Sequence, residues 1–200
     1  MTHGLPKIRT PKARTVIAKP DELRKLFTTA EPWLRCYLCL TYGLGLRHAE
    51  ACSISPRSFN KDDHTITFTK KGGDQFTLPT TRELEAIFNQ APETDDPSVS
   101  YLQLLRGNLG LKSKNISTVA VRQSFYKLRK RAGVNEEIRP HDLRRTLAVE
   151  TLNRTKDIRL VQQILGHSSL STTAKYLENR SIANIRDYLD TIPMPTEVKQ

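Results

Sequence analysis

Cysteine is scarce in this chain, which has only Cys36, Cys39 and Cys52 among its 200 residues. An odd and low cysteine count argues against a disulfide framework and is typical of a reducing cytoplasm. Cys36 and Cys39 form a C-x-x-C pair, but they lie within the apolar stretch at 33–42 and no second ligand pair accompanies them. We therefore expect this pair to be small buried side chains rather than a metal or redox site.

Long hydrophobic runs are also missing. No stretch approaches the length of a membrane-spanning helix, and the N-terminal residues lack the apolar core of a signal peptide. These absences predict a soluble, cytoplasmic protein with no membrane partner. Hydrophobic residues nevertheless make up 37% of the chain, which excludes a disordered protein and predicts one ordinary globular domain.

Acidic residues are missing from two stretches of the chain. Lys and Arg total 32 against 21 Asp and Glu, which gives a formal net charge of +11. Residues 1–20 and 101–134 contain many basic residues and no acid, whereas acids gather in stretches such as 93–96. A basic protein with charges segregated in this way favours a polyanionic partner, and nucleic acid is the first candidate.

Hydrophobic periodicity predicts a mainly α-helical domain with one small antiparallel β-sheet. Period-two alternation at 64–69 and 75–78, on either side of a turn at 70–74, predicts a β-hairpin. The apolar helix at 32–42 should lie in the core, and a glycine turn follows it. The predicted helices cover residues 20–27, 32–42, 47–52, 81–90, 118–132, 141–153, 157–165, 172–178 and 181–190.

The C-terminal half contains a group of residues suited to phosphate chemistry. His141 and Arg144 stand three residues apart in a predicted helix, so an imidazole and a guanidinium on one face can meet one phosphate. Gly166 can end the next helix and expose His167, and Tyr176 follows nine residues later. Each of these features alone is most often structural, so their order and spacing carry the interpretation.

The motifs H-D-L-R-R-T at 141–146 and L-G-H-S-S-L-S-T-T-x-x-Y at 165–176 resemble the hallmark of the tyrosine recombinases and phage integrases. The arginine motif of this family resembles G-L-R-x-x-E at 45–50. The family's lysine lies on a hairpin turn before a strand that ends in proline. Lys71 matches that place, and the adjacent Lys70 is a competitor for it. The resemblance runs from about residue 20 to residue 190, nearly the whole chain.

This resemblance implies the tyrosine recombinase catalytic-domain fold and a site-specific recombinase that cuts and rejoins DNA. Tyr176 resembles the family's nucleophile, which forms a 3′-phosphotyrosine and releases a 5′-hydroxyl. Because the covalent link keeps the energy of the phosphodiester, the reaction would need no ATP, and no metal or other cofactor is expected. His167 resembles the residue that hydrogen-bonds a non-bridging phosphate oxygen.

The resemblance also implies roles for four further residues. A phosphoryl transition state spreads charge over its oxygens and needs fixed cations, a role that the family gives to Arg47 and Arg144. A phenol is largely protonated at neutral pH and needs help to lose its proton. His141 resembles the family's candidate for accepting that proton, and Lys71 resembles its general acid.

Double-stranded DNA is the partner that the resemblance implies, bound by a protein that is a monomer in solution and a tetramer in synapsis. The acid-free segment at 101–134 is the candidate for non-specific phosphate contacts, and a solvated helix face is the alternative. Arg145 lies off the face shared by His141 and Arg144, where it can contact the DNA backbone. The predicted DNA-binding residues are Arg122, Lys127, Arg129, Lys130 and Arg145.

The expected organisation is a basic N-terminal arm at 1–19, a catalytic domain at 20–180, and a C-terminal helix and tail at 181–200. Members of the family usually carry a separate N-terminal helical domain, and we expect none here because the catalytic pattern begins near residue 20. The sequence leaves open whether the chain is a fragment or a natural single-domain member. In the family such a tail often docks onto a neighbouring protomer, and we expect 181–200 to do so.

Two other functions remain open from the sequence. A type IB topoisomerase shares the nucleophile, the two arginines and the covalent intermediate, although the signature at 165–173 favours a recombinase. A DNA-binding module that has lost its activity is the second alternative. The complete set of catalytic residue types argues against such a module.

Overall fold

The computed structural model describes residues 16–70, 72–107, 116–166, 186 and 189–192. Within this part the chain is mainly helical with one small sheet, as the sequence predicts, and every helix there falls short of what a bilayer crossing requires. The helices are α1 (Pro20–Thr29), α2 (Pro32–Leu38), α3 (His48–Ser53), α4 (Arg82–Phe88), α5 (Tyr101–Gly107), α6 (Thr118–Arg131), α7 (Pro140–Thr155) and α8 (Ile158–Leu165). The strands are β1 (Phe59–Asn60), β2 (Thr65–Thr69) and β3 (Gln75–Pro79), all antiparallel in the order β1-β2-β3.

The predicted β-hairpin is formed by β2 and β3. Ile66 pairs with Leu78, and both side chains are buried toward the core. Thr67 pairs with Thr77 on the exposed face, where their hydroxyls hydrogen-bond at 2.8 Å. This alternation is the one that the sequence pattern predicts. Strand β1 was not predicted, because two residues are too few for alternation to show.

The apolar stretch predicted for the core is buried there. Pro32 begins α2, where its missing N–H costs no helical hydrogen bond, and a π-helical turn at Cys39–Gly43 continues the helix. The rings of Tyr37 and Tyr42 are 0% and 1% exposed. All three cysteines are free thiols within this core, as expected for small buried side chains.

The sequence pattern did not predict helix α5. It has seven residues, and Tyr101, Leu102 and Leu105 form its buried face against α2. The ring of Tyr101 also stacks on Phe88 of α4, with centroids 3.8 Å apart. A helix this short is marginal in isolation, so α5 depends on these contacts rather than on its own propensity.

Helices α6, α7 and α8 follow the predicted ranges closely. Val121, Phe125 and Leu128 form the buried face of α6, as their spacing predicts. The corner between α7 and α8 is made by Lys156, which has a left-handed backbone, and by Asp157, whose carboxylate accepts two backbone N–H groups of α8. This sharp corner lets α8 fold back against α7.

The described residues of the C-terminal segment at 181–200 contact the rest of the chain. Leu189 and Ile192 are 1% and 3% exposed, and Arg186 Nη1 lies 2.8 Å from Glu85 Oε1 of α4. The arm as far as residue 15, the predicted helix at 172–178 and the tail beyond residue 192 lie outside the described residues.

Candidate active site

Arg47 is the residue immediately before α3, and Glu50 fixes its position from one turn later. The Glu50 carboxylate accepts a hydrogen bond from the backbone N–H of Arg47 at 2.7 Å and another from its Nη1 at 3.0 Å. The side chain of Glu50 is 6% exposed, whereas that of Arg47 is 37% exposed. One edge of the guanidinium is therefore held by the protein, and part of it remains open to an anion from solvent.

Arg144 extends from α7 into the interior and is 4% exposed. Its Nη1 donates to the carbonyl of Gly45, and its Nη2 donates to the carbonyl of Leu165 at 2.8 Å. The pKa of Arg144 is lowered to about 10, chiefly by burial and next by the positive charge of Arg47, while Glu50 opposes the shift. Arg144 is thus buried within range of a second positive charge, and a phosphate anion bound between the two guanidiniums would stabilise both of them.

The turn at Gly45 allows the loop before Arg47 to approach α7 and α8. Its φ of +67° lies in the left-handed region, which glycine adopts without steric cost. A Cβ at this position would lie 2.8 Å from Leu165 Cδ2 and 3.0 Å from Leu147 Cδ2. The sequence shows a glycine here, but it cannot show this packing, because the two leucines belong to distant helices.

His141 lies in the first turn of α7, one turn before Arg144, and is exposed. Burial lowers its pKa, and the positive charges of Arg144 and Arg145 lower it further. Arg47 acts in the same direction, whereas Asp142 raises the pKa. A lowered pKa keeps the imidazole neutral at pH 7, and a neutral imidazole can accept a proton.

Lys70 joins the β2–β3 hairpin to the end of α8. Its Nζ donates to the carbonyl of Gly166 at 2.9 Å and lies 4.1 Å from the centroid of the Phe76 ring. Gly166 has a left-handed φ of +58°, and a Cβ there would lie 2.8 Å from that ring. Since Arg144 binds the carbonyl of Leu165, two cations from different elements hold consecutive carbonyls at the end of α8.

Half of the predicted catalytic set lies within the described residues. The structure brings together Arg47, His141 and Arg144. The other three predicted residues lie outside the described part of the chain: Lys71, His167 and Tyr176. Their neighbours Lys70 and Gly166 are described and contact each other, so the hairpin and the end of α8 meet beside Arg144. No local sequence signal predicted this contact.

The residues predicted to contact DNA lie in α6 and α7. Three of them are exposed on α6: Arg122, Lys127 and Lys130. Arg129 is half-buried, and its Nη1 donates to the carbonyl of Ile138 at 2.7 Å while its guanidinium lies over the Tyr126 ring. Arg145 is also half-buried, and its buried Nη1 has no hydrogen-bond partner among the described residues. The three exposed cations are therefore the ones free to reach a phosphate, while Arg129 is occupied by protein contacts.

Comparison with known sequences identifies relatives along most of the chain. The sequence model of the phage integrase family matches residues 17–181. The tyrosine recombinase XerC of Agrobacterium fabrum is 31% identical over 187 residues, which cover 86% of this chain and 58% of that protein. The chain therefore spans somewhat more than half the length of this curated relative.

Comparison with solved structures identifies the fold. The integrase from mycobacterium phage Brujita matches with a TM-score of 0.69 at 22% identity, over 98% of this chain and 63% of that chain. The Tn1549 transposon integrase in complex with circular intermediate DNA matches with a TM-score of 0.60 at 17% identity, over 91% and 67% of the two chains. At such identities the likeness establishes the fold alone, and it is the fold that the sequence motifs imply.

Proposed function

Because this chain belongs to the phage integrase family, we propose that it is the catalytic part of a site-specific DNA recombinase that cuts and rejoins strands through a 3′-phosphotyrosine. The observation that carries the proposal is the convergence of Arg47, Arg144 and His141. The positive charges of Arg144 and Arg47 both lower the pKa of His141, and that of Arg47 also lowers the pKa of Arg144, so the three side chains lie near one another in the fold. That arrangement suits attack on a phosphodiester. The arginines can bind its negative charge, and the imidazole can accept the proton of the attacking hydroxyl.

The two arginines have different tasks in this proposal. Arg144 is held by two backbone carbonyls and so presents its remaining N–H groups in a fixed direction. Arg47 is held on one edge by Glu50 and is more exposed. Preorganised donors of this kind stabilise the charge that develops on the non-bridging oxygens, and loss of one such donor costs roughly 10²- to 10³-fold in rate.

Tyr176 is the proposed nucleophile. Its phenol oxygen forms a bond to the scissile phosphorus while the bond from phosphorus to the 5′ oxygen breaks. The phenol proton passes to His141, and the leaving 5′ oxygen takes a proton from Lys71. His167 donates a hydrogen bond to a non-bridging oxygen. Attack by the released 5′-hydroxyl of the partner strand reverses these transfers and restores the phosphodiester, so the cycle balances without an energy source.

The contacts of Lys70 support Lys71 as the general acid. The Lys70 ammonium already binds the carbonyl of Gly166 and the Phe76 ring, which leaves the next residue of the turn for the leaving oxygen. A substrate with sulfur in place of the 5′ oxygen tests this, because a thiolate leaves without a proton. The sulfur substrate should restore cleavage by Lys71→Ala. If the sulfur substrate restored cleavage by Lys70→Ala and not by Lys71→Ala, Lys70 would be the general acid instead.

Double-stranded DNA in a prokaryotic cytoplasm is the proposed partner. The net charge of +11 and the exposed cations on α6 support this, and so does the DNA-bound state of the Tn1549 integrase. Contacts to phosphates release counterions, so each one steepens the salt dependence of affinity by about one unit. Lys127→Ala should therefore weaken binding to any sequence and reduce the salt slope, and an unchanged slope would remove Lys127 from the DNA face.

A monomer in solution that tetramerises on DNA is the proposed assembly. Leu189 and Ile192 are buried in the chain's own core, so deletion of 181–200 would unfold the protein rather than test assembly. Deletion of 193–200 leaves those contacts in place and is the sharper test. It should reduce tetramers on DNA in analytical ultracentrifugation while melting remains as in the wild type. Unchanged assembly would exclude these residues from the protomer contact.

Trapping the covalent intermediate tests the reaction itself. In a duplex that carries the recognised site and a nick on the 3′ side of the cut, cleavage frees the short fragment that begins with the new 5′-hydroxyl. This fragment diffuses away, so the adduct accumulates. The wild type should form a denaturant-resistant adduct, and Tyr176→Phe should not. Tyr126→Phe, a half-buried tyrosine of α6, is the matched control and should retain the adduct. DNA binding without any adduct in the wild type would instead favour a non-catalytic DNA-binding module.

A further inference from the structure

His48 follows Arg47 directly and links three helices. Its Nδ1 lies 2.7 Å from the hydroxyl of Tyr37 on α2, and its Nε2 lies 2.9 Å from the carbonyl of Thr118 at the start of α6. The Tyr37 and His48 rings meet edge to face with centroids 5.7 Å apart. The first residue of α3 is therefore bound both to the core and to the helix that carries the exposed cations.

The chemistry of the two partners fixes the protonation of the ring. A carbonyl oxygen can only accept a hydrogen bond, so Nε2 of His48 carries a hydrogen. Burial raises the pKa of the Tyr37 phenol well above its ordinary value, so the phenol keeps its hydrogen and can donate it. Nδ1 then accepts that hydrogen. Both contacts are satisfied at once by the neutral ring with hydrogen on Nε2.

The surroundings of the ring also favour its neutral form. Burial lowers the pKa of His48, the hydrogen bond to Thr118 opposes this, and the positive charge of Arg122 on α6 lowers the pKa further. Protonation would place a second donor at Nδ1 opposite the hydroxyl of Tyr37. The bond to α2 would then have to reverse, with Nδ1 donating to the phenol oxygen and the phenol hydrogen left to find another acceptor, while the bond to α6 would remain.

Helix α6 is held at its two ends by different groups. At its C-terminal end Arg131 binds the Glu31 carboxylate at 2.7 Å and the carbonyl of Thr29 at 2.8 Å. At its N-terminal end His48 supplies the hydrogen bond to Thr118, one turn before Arg122. Because His48 is adjacent to Arg47, this bond sets the distance between α6 and Arg47.

We propose that His48 is a positioning residue that holds the DNA-contacting helix α6 in register with Arg47. The inference rests on the proposed function, because α6 must contact DNA for the register to matter. Phosphates bound by α6 then place the scissile phosphate relative to Arg47. A misplacement of about 1 Å at such a site can lower a reaction rate by roughly a hundredfold.

The test uses the whole chain with three variants and one control. His48→Ala removes both contacts, His48→Gln can keep an N–H donor for Thr118, and Tyr37→Phe removes the phenol. His64→Gln is the matched control, because His64 is a histidine that contacts Glu85 rather than α6. Each protein is measured for DNA affinity across a salt series and for single-turnover adduct formation at saturating DNA. Nitrogen-15 NMR of the histidines and amide hydrogen exchange of α6 report the link directly.

His48→Ala should lower the single-turnover rate by roughly ten- to a hundredfold while the salt slope of binding stays as in the wild type, because a neutral ring contributes no charge. His48→Gln should recover part of the rate, and the control should match the wild type. NMR should show hydrogen on Nε2 only, and exchange should accelerate at the start of α6 in His48→Ala.

Three results would overturn the proposal: a wild-type rate in His48→Ala, hydrogen on Nδ1, or a salt slope that falls with the substitution. The last would mean that His48 contacts DNA itself. If the wild type forms no adduct, the proposed function fails separately. The tautomer and the exchange of α6 amides then decide the role of His48 without any activity.

Discussion

Replacing Gly45 with alanine would introduce a methyl group where the structure leaves no room for one. The carbonyl of Gly45 accepts a hydrogen bond from Arg144, and its Cα faces Leu165 and Leu147. The new Cβ would lie 2.8 Å from one leucine methyl and 3.0 Å from the other, so the turn, α7 or α8 must move. Any of these movements shifts the acceptor that orients Arg144.

The expected cost has two parts. A non-glycine residue at a φ of +67° costs about 1 to 2 kcal/mol in backbone strain. Forcing a methyl group into a packed interior costs about 1 to 3 kcal/mol more. Gly133→Ala isolates the first part, since Gly133 has a similar φ of +61° and a Cβ there would meet nothing within 4 Å.

Urea unfolding followed by circular dichroism measures both substitutions under the same conditions. Gly45→Ala should lower the free energy of unfolding by about 2 to 5 kcal/mol, and Gly133→Ala by about 1 to 2 kcal/mol. Adduct formation should fall in the first variant and stay near the wild-type level in the second. Equal losses of stability in the two variants would refute the packing argument at Gly45.

Three further predictions follow from the contacts around the site. Glu50→Gln should weaken the hold on Arg47, lowering the free energy of unfolding by about 1 to 3 kcal/mol in urea titrations and slowing adduct formation. Because burial lowers the pKa values of His48 and His141, the unfolded chain binds more protons just below the ordinary histidine pKa of 6.5, and stability should fall as the pH drops from 7 to 5. His48→Gln should make the free energy of unfolding less dependent on pH over this range. A pH profile parallel to that of the wild type would contradict this prediction. Burial raises the pKa of Cys52 to about 12, so a thiol reagent at pH 8 should modify this cysteine only after unfolding.

The parts of the fold that the sequence predicted are those with a local pattern. Alternation over five residues is enough to place β2 and β3, and the apolar run after Pro32 is enough to place the central helix. Strand β1 and helix α5 have no such pattern. Both are too short to show a period, and their apolar residues are buried only by contacts with other parts of the fold. Tyr101 of α5, for example, packs by stacking its ring on Phe88 of α4, a contact that the local sequence does not indicate.

The candidate site likewise has a part that the sequence predicted and a part that it did not. Residue types and spacing singled out Arg47, His141 and Arg144, because these lie in short motifs. The contacts that hold the site join residues far apart in the chain: Arg144 and Gly45 are separated by 99 residues, Lys70 and Gly166 by 96, and His48 and Thr118 by 70. No local pattern encodes such pairs, so their roles emerge only from the fold.

The most direct test of the central claim is to identify the residue that carries the DNA after trapping. Trypsin cuts after Lys175 and Arg180, so it releases Tyr176 in a five-residue peptide with no other tyrosine. After nuclease digestion, mass spectrometry should find the 3′-nucleotide on this peptide and nowhere else. A nucleotide on any other peptide, or an adduct that persists in Tyr176→Phe, would contradict the proposed mechanism.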